Sequence, residues 1–333
     1  MSAPTLPPLY ARWVGELLGG PLPAEPRSTC NACAMLPRGS ADEDPGPRFA
    51  PNIKCCMFLP RLPNFLVGRA LLEVNGPGLL SVQRRIADPN HRSPLGLLPP
   101  PSFAERYEDA KKSGQFGQRL ELRCPHYLEA EGGVCGVWAQ RESVCTTWFC
   151  RHTRGAVSRH FWSSLQQLLA AVEDLLSRTI ATELGATAYD FGRWAGREEA
   201  FYTAAAERVA GMSWKDVTRL GAFEVRFRAR TVREAYGALD ETGVPPVLVP
   251  GRIRVIPLPS GLRRVFGYSA YDPVDLATEV VDLLGRFTGR TVDEVLHAET
   301  PGDGASAPAS LVLDEPLLQR LFDLRVLDLP PEA

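Results

Sequence analysis

Every cysteine of the 333-residue chain lies between Cys30 and Cys150, and none follows Cys150. Eight thiols confined to one part of a chain suit either a disulfide framework or a metal site. The N-terminal stretch MSAPTLPPLYARWVGELLGG lacks the basic start and apolar run of a secretory signal. No stretch approaches the roughly 18 apolar residues of a membrane helix. A cytoplasmic protein away from the membrane is therefore expected. Disulfide frameworks are rare in a reducing compartment, so metal ligation is the leading explanation of the cysteines.

The ligand candidates are Cys30, Cys33, Cys55, Cys56, Cys124, Cys135, Cys145 and Cys150. Cys30 and Cys33 form a C-x-x-C pair, a spacing that aims two sulfurs at one metal. Cys55 and Cys56 are adjacent. On an extended backbone successive side chains point to opposite sides, so this pair is expected to serve two neighbouring centres of four cysteines each. One site with spare cysteines fits the same count. Zinc sites commonly use two C-x-x-C knuckles, and only one is present. The later cysteines are separated by nine and four residues, with Trp138, Trp148 and Phe149 between them. That pattern favours a shielded iron–sulfur centre, one or two [4Fe-4S] clusters, with Zn2+ as the alternative.

Outside this region the chain is ordinary. Apolar residues make up 44% and suffice for a sizeable core, and the net charge of −2 gives no bias toward polyanions. With no basic stripe, no nucleic-acid partner is expected. Residues 1–155 read as a loop-rich, cysteine-rich metal-binding domain with short helices around Asn64–Leu72, Pro77–Ile86 and Phe103–Lys112. Residues 156–245 read as a helical region. Its first helix carries Phe161, Leu165, Leu168, Leu169, Val172, Leu176 and Ile180 at the helical period. Further helices are expected over Phe191–Val209 and Ser213–Leu220. FEVRFRAR (223–230) alternates like a strand, and VREAYGALDETG (232–243) reads as a helix stopping near Gly243. Residues 246–333 predict two short strands with a turn at Ser260–Gly261. Three short helices follow, over Pro273–Leu284, after a Thr291–Glu294 capping box, and after Pro316. Residues 298–310 read as a loop. The fold class is thus α+β, mostly α, ending in a winged-helix-like module.

RCPHY (123–127), GVCGVW (133–138) and QRESVCTTWFC (140–150) resemble the latter half of the YkgJ-type family, described as zinc- or iron-chelating cysteine-cluster proteins. In that resemblance Cys124, Cys135, Cys145 and Cys150 match family cysteines. Cys30, Cys33, Cys55 and Cys56 fill the family's C-x-x-C-x-x-CC cluster, split here by a 21-residue stretch. The family's Arg-Pro is Arg141-Glu142 in this chain, and the Arg after the cysteine is Thr146. The resemblance implies a metal site and says little of activity; the related flagellin lysine methylases suggest a protein-modifying branch. DLLGRFTGRTVDEVL (282–296) is faintly similar to the helix–turn–helix of the PqqD-like peptide-recognition family, which implies peptide binding by strand addition. An ordinary capped helix in a structural winged helix is the reading preferred.

Among other residues, His126 and His152 flank cysteines and stand as replacement ligands or hydrogen-bonding supports. His91, His160 and His297 have no clustered partners. Arg123, Arg141 and Arg151 lie beside cysteines, where positive charge stabilises thiolates. Asp42, Glu43 and Asp44 read as a solvated acidic loop. Phosphate-loop, nucleophile-elbow and metalloprotease motifs are absent. Three functions remain open. The first is a redox or electron-transfer protein with a protein or peptide partner. The second is a cluster-dependent enzyme acting on a protein or peptide, and the third a zinc-stabilised interaction protein.

Overall fold

The computed structural model describes residues 6–30, 32–37, 39–40, 44–221, 223–296 and 313–331. The chain is mixed α/β and mostly helical, about 47% helix and 9% strand. It forms two compact units. The first comprises Met1–Leu36, Arg48–Phe149 and Phe161–Tyr236; the second comprises Pro37–Pro47, Cys150–His160 and Gly237–Ala333. The helical residues 161–236 thus share a unit with the cysteine-bearing 48–149, where the sequence reading placed a break at 155. Cys150 falls in the second unit. His297, residues 298–310, Asp42 and Glu43 lie outside the described residues.

The first unit holds α1 (Pro8–Leu18), α2 (Asn64–Leu72), α3 (Leu79–Ala87), α4 (Pro101–Lys112) and α5 (Ser143–Thr147). It also holds most of the long α6 (Gly155–Glu183), then α7 (Glu198–Ala210), α8 (Trp214–Leu220) and α9 (Phe223–Gly237). Its strands are two-residue pieces. β1 (Leu62–Pro63), β2 (Arg92–Ser93) and β3 (Gly96–Leu97) make one small sheet, and β4 (Tyr127–Leu128) pairs with β5 (Val134–Cys135). The core is helical and aromatic, with Tyr10, Trp13, Phe65, Phe161, Trp162, Phe201 and Tyr202 all buried. Helix α2 packs along α7 so closely that a Cβ at Gly68 would lie 1.8 Å from the Tyr202 carbonyl oxygen. The buried Asn64 starts α2 by donating to the carbonyls of Pro94 (2.9 Å) and Ser177 (3.0 Å).

Three elements differ from the sequence reading. Residues 223–230 are helical, the first half of α9, which ends at Gly237 rather than near Gly243. Val225, Ala229, Val232 and Ala235 form its buried stripe at helical spacing, and the outward arginines tolerate either conformation. The helix expected from Phe191 begins only at Glu198, because Gly192 and Gly196 adopt positive φ of 55° and 78° and break the backbone. Residues Val274–Leu276, expected as a helical start, form a strand, and the helix begins at Thr278.

The second unit contains β6 (Val249–Pro250), β7 (Arg254–Pro257), β8 (Arg263–Phe266), β9 (Val274–Leu276) and β10 (Leu327–Asp328). Its helices are α10 (Thr278–Leu284), α11 (Val292–Leu296) and α12 (Glu315–Asp323). β7, β8 and β9 form an antiparallel sheet in that order, and β6 pairs with β10. Leu248, Val265, Leu276, Phe287, Leu321 and Val326 fill its core. The capping box starts α11 as read: Glu294 N donates to Thr291 Oγ1 at 3.2 Å and Thr291 N to a Glu294 carboxylate oxygen at 2.8 Å. Asp44 is not simply solvated, since Arg264 bonds its carboxylate.

Candidate metal centre

Six cysteines of the first unit, Cys30, Cys55, Cys56, Cys124, Cys135 and Cys145, line one cavity of about 110 Å³. Phe58, Tyr107, Phe116, Tyr127, Trp138 and Trp148 give it an aromatic wall. No carboxylate is among its lining residues. Cys33 does not line the cavity, but it lies near enough to Cys30 and Cys55 to raise both. Among the described residues there is no disulfide, and no group of three or more His, Cys, Asp or Glu is drawn tightly enough to hold a metal ion as the chain stands.

The adjacent pair Cys55–Cys56 does not face two ways. Residues 51–57 run as consecutive turns, with Cys56 N bonded to Ile53 O at 2.9 Å and Lys54 in the left-handed region at φ 53°. Both thiols therefore face the same cavity, and the geometric ground for two separate centres falls away. The two are hydrogen-bonded: Cys55 is pushed above the ordinary thiol range by that bond and by burial, while Cys56 is lowered by it, helped by Lys54 and Arg141. Behind them Ile53, Met57, Ala110 and Leu122 form a small buried cluster.

Cys124 and Cys135 come from a tight hairpin. Cys124 N donates to Cys56 O at 2.7 Å, tying the hairpin to the cysteine pair. The backbone amides of His126 and Val137, each two residues on, lie beside Cys124 and Cys135 and act to lower both thiols. Gly136 and Gly78 meet backbone to backbone: a Cβ on Gly78 would lie 2.5 Å from Gly136 O. Burial still dominates both thiols, raising Cys124 well above the usual range and Cys135 to about 11.

Cys145 sits on α5. Glu142 caps this helix and accepts from Cys145 N (2.8 Å) and Val144 N (2.6 Å). Ser143 joins Glu142 to Glu173 on α6: its hydroxyl lies 3.2 Å from a Glu142 oxygen and 2.9 Å from Glu173 Oε2. The Tyr10 hydroxyl donates to Glu173 Oε1. Burial first, then the charge of Glu142, pushes Glu173 up to about 8.

Three cations are buried around these thiols: Lys54 (2% exposed), Arg85 (4%) and Arg141 (9%). Lys54 Nζ donates to Cys30 O and to Gly133 O at 3.0 Å. Arg141 lies 3.5 Å from the Trp138 ring centre and donates to Cys145 O at 2.9 Å. Arg85 donates to Pro60 O at 3.0 Å and lies 3.1 Å from His126 Nε2; burial lowers it to about 10.

The other sequence candidates fall elsewhere. Ser81 Oγ donates to Gly78 O (2.7 Å) and so accepts from His126 Nδ1 (2.6 Å), while Arg85 occupies Nε2. With both ring nitrogens engaged, His126 is a support and not a ligand. His152, like Cys150 and Arg151, belongs to the second unit, where its ring bonds the Tyr268 hydroxyl at 3.1 Å. Arg123 pairs with Glu129 at 2.5 Å, and His91 bonds Leu98 O at 3.0 Å. His160 is exposed on α6.

Comparison of the chain with protein-family models, with curated proteins and with solved structures returned no match.

Proposed function

We propose that the first unit holds an iron–sulfur centre ligated from the set Cys30, Cys33, Cys55, Cys56, Cys124, Cys135 and Cys145, and that it serves one-electron transfer with a protein partner in a reducing compartment. The carrying observation is the charge of the site. Three cations, Lys54, Arg85 and Arg141, are buried around the thiols, against one buried carboxylate beside them, Glu142 at Cys145. Buried charge is costly without compensation. Free thiols supply little of it: Cys56 alone is lowered, while Cys30, Cys55, Cys124, Cys135 and Cys145 are raised. Thiolates bound to a metal do, since metal binding deprotonates its cysteines.

The backbone amides beside Cys124 and Cys135 support the same reading, because amide dipoles aimed at a sulfur favour its thiolate form. The spread of the thiols favours a polynuclear group over zinc. Zn–S bonds of about 2.3 Å draw four sulfurs to within about 3.8 Å of one another, whereas these cysteines surround a cavity. When bound, the centre supplies a reversible one-electron couple. The resemblance of 123–150 to the YkgJ-type family, zinc- or iron-chelating, supports a metal site of either kind. In the second unit, the three-stranded sheet with α10–α12 is read as a winged-helix-like module of structural role.

Electron paramagnetic resonance on anaerobically purified protein, before and after dithionite, tests the reading. A reversible signal from a reduced cluster is expected. A colourless zinc protein with no signal in either state would make the chain a zinc-stabilised interaction protein instead.

A further inference from the structure

We propose that Arg141 and Lys54 set the reduction potential of this centre, their buried charges favouring its one-electron-reduced form. The inference rests on the iron–sulfur reading and names the residues that tune the site.

Both charges are fixed by geometry. Arg141 is clamped between the Trp138 ring, 3.5 Å from its guanidinium, and the Cys145 carbonyl at 2.9 Å. Its charge acts on Cys30, Cys55, Cys56, Cys135 and Cys145, five cysteines from four parts of the sequence. Lys54 is held by the carbonyls of Cys30 and Gly133, and its charge acts on Cys30 and Cys56. Lys54 holds a left-handed backbone, φ 53°, and its side chain is buried. That conformation is unusual for a residue with a side chain and is held here by the surrounding structure. Arg85 differs: it is committed to His126 and acts on Cys124 alone among the cysteines.

Reduction adds one negative charge to a site already made anionic by its thiolates. In the test, one electron passes from a reduced viologen dye to the site and the dye is oxidised by one electron. No bond forms or breaks and no proton moves. In a buried site of low effective dielectric, fixed cations stabilise the added negative charge strongly, and net charge is one of the levers that set cluster potentials.

The experiment is an anaerobic dye titration, read by the resonance signal of the reduced centre. It compares the full chain with Arg141→Lys, Arg141→Gln, Lys54→Arg and Lys54→Gln. Each glutamine variant is expected to shift the equilibrium at least tenfold toward the oxidised form, a fall of about 59 mV for one electron. The charge-keeping variants should stay close to the parent. Unchanged potentials in the glutamine variants would overturn the proposal, as would lysine and arginine variants that shift equally far. If the glutamine variants lose their iron while the charge-keeping ones retain it, the charge is needed to hold the centre, which supports it. Loss of iron from all four overturns it. A parent protein without iron is a different failure, that of the iron–sulfur reading itself.

Discussion

Arg85 lies 3.1 Å from His126 Nε2, with Ser81 at the other ring nitrogen, and these contacts take the histidine out of the metal-ligand set. Burial and the neighbouring guanidinium lower His126 to about 3, so it is neutral. His126→Gln is therefore expected to keep the metal content of the parent while losing about 1–3 kcal/mol of stability through unmet buried hydrogen bonds. Metal analysis beside a denaturant titration checks this. Loss of metal from a folded variant would restore His126 as a ligand.

Glu173 predicts a pH dependence of opposite sign to the common carboxylate case. Its pKa is shifted up from 4.5 to about 8, so the folded chain holds a proton that the unfolded chain releases. Stability from this group is complete below about 4.5 and is lost as pH rises toward 8, by up to about 1.4 kcal/mol per pH unit. Glu173→Gln mimics the protonated form, with its amide facing Ser143 and its oxygen facing Tyr10. Thermal melts from pH 5 to pH 8 should show a smaller decline in the variant than in the parent. Parallel declines would show that Glu173 titrates normally.

Gly68 makes the α2–α7 contact possible. Its missing Cβ would meet the Tyr202 carbonyl oxygen at 1.8 Å and the Ala206 Cβ at 2.8 Å. Because the first obstacle is backbone, Gly68→Ala must move a helix and should cost about 3 kcal/mol or more. A denaturation midpoint within error of the parent would mean that the helices can separate cheaply.

Glu142 holds the backbone of Cys145 through two amide bonds. Glu142→Ala is expected to lower metal retention against a competing chelator by roughly tenfold to a hundredfold, the usual effect of losing a ligand's support. Retention equal to that of the parent would show that Cys145 is held by other contacts or is not a ligand.

How much of this was legible in the sequence depended on whether local patterning agreed with packing. Asn64–Leu72 and the Thr291–Glu294 cap were readable because turn chemistry and apolar spacing point the same way. FEVRFRAR was not, because apolar residues at alternate positions also contain an i, i+4 pair, and Val225 and Ala229 are that pair. The ligand region stood out by its cysteines, but the facing of Cys55 and Cys56 depends on the left-handed turn at Lys54, which no spacing announces. Arg85 and Glu173 carried a usable signal: each is a charged residue beside the apolar stripe of its helix, next to Ile86 and Val172. Lys54 and Glu142 carried none beyond standing next to cysteines or their neighbours.

The central claim is tested most directly by an absorption spectrum of protein purified without oxygen, with iron, sulfide and zinc counted per chain. The account predicts brown protein with a broad band near about 400 nm and about four irons with matching sulfide. Colourless protein carrying zinc and no sulfide would contradict it.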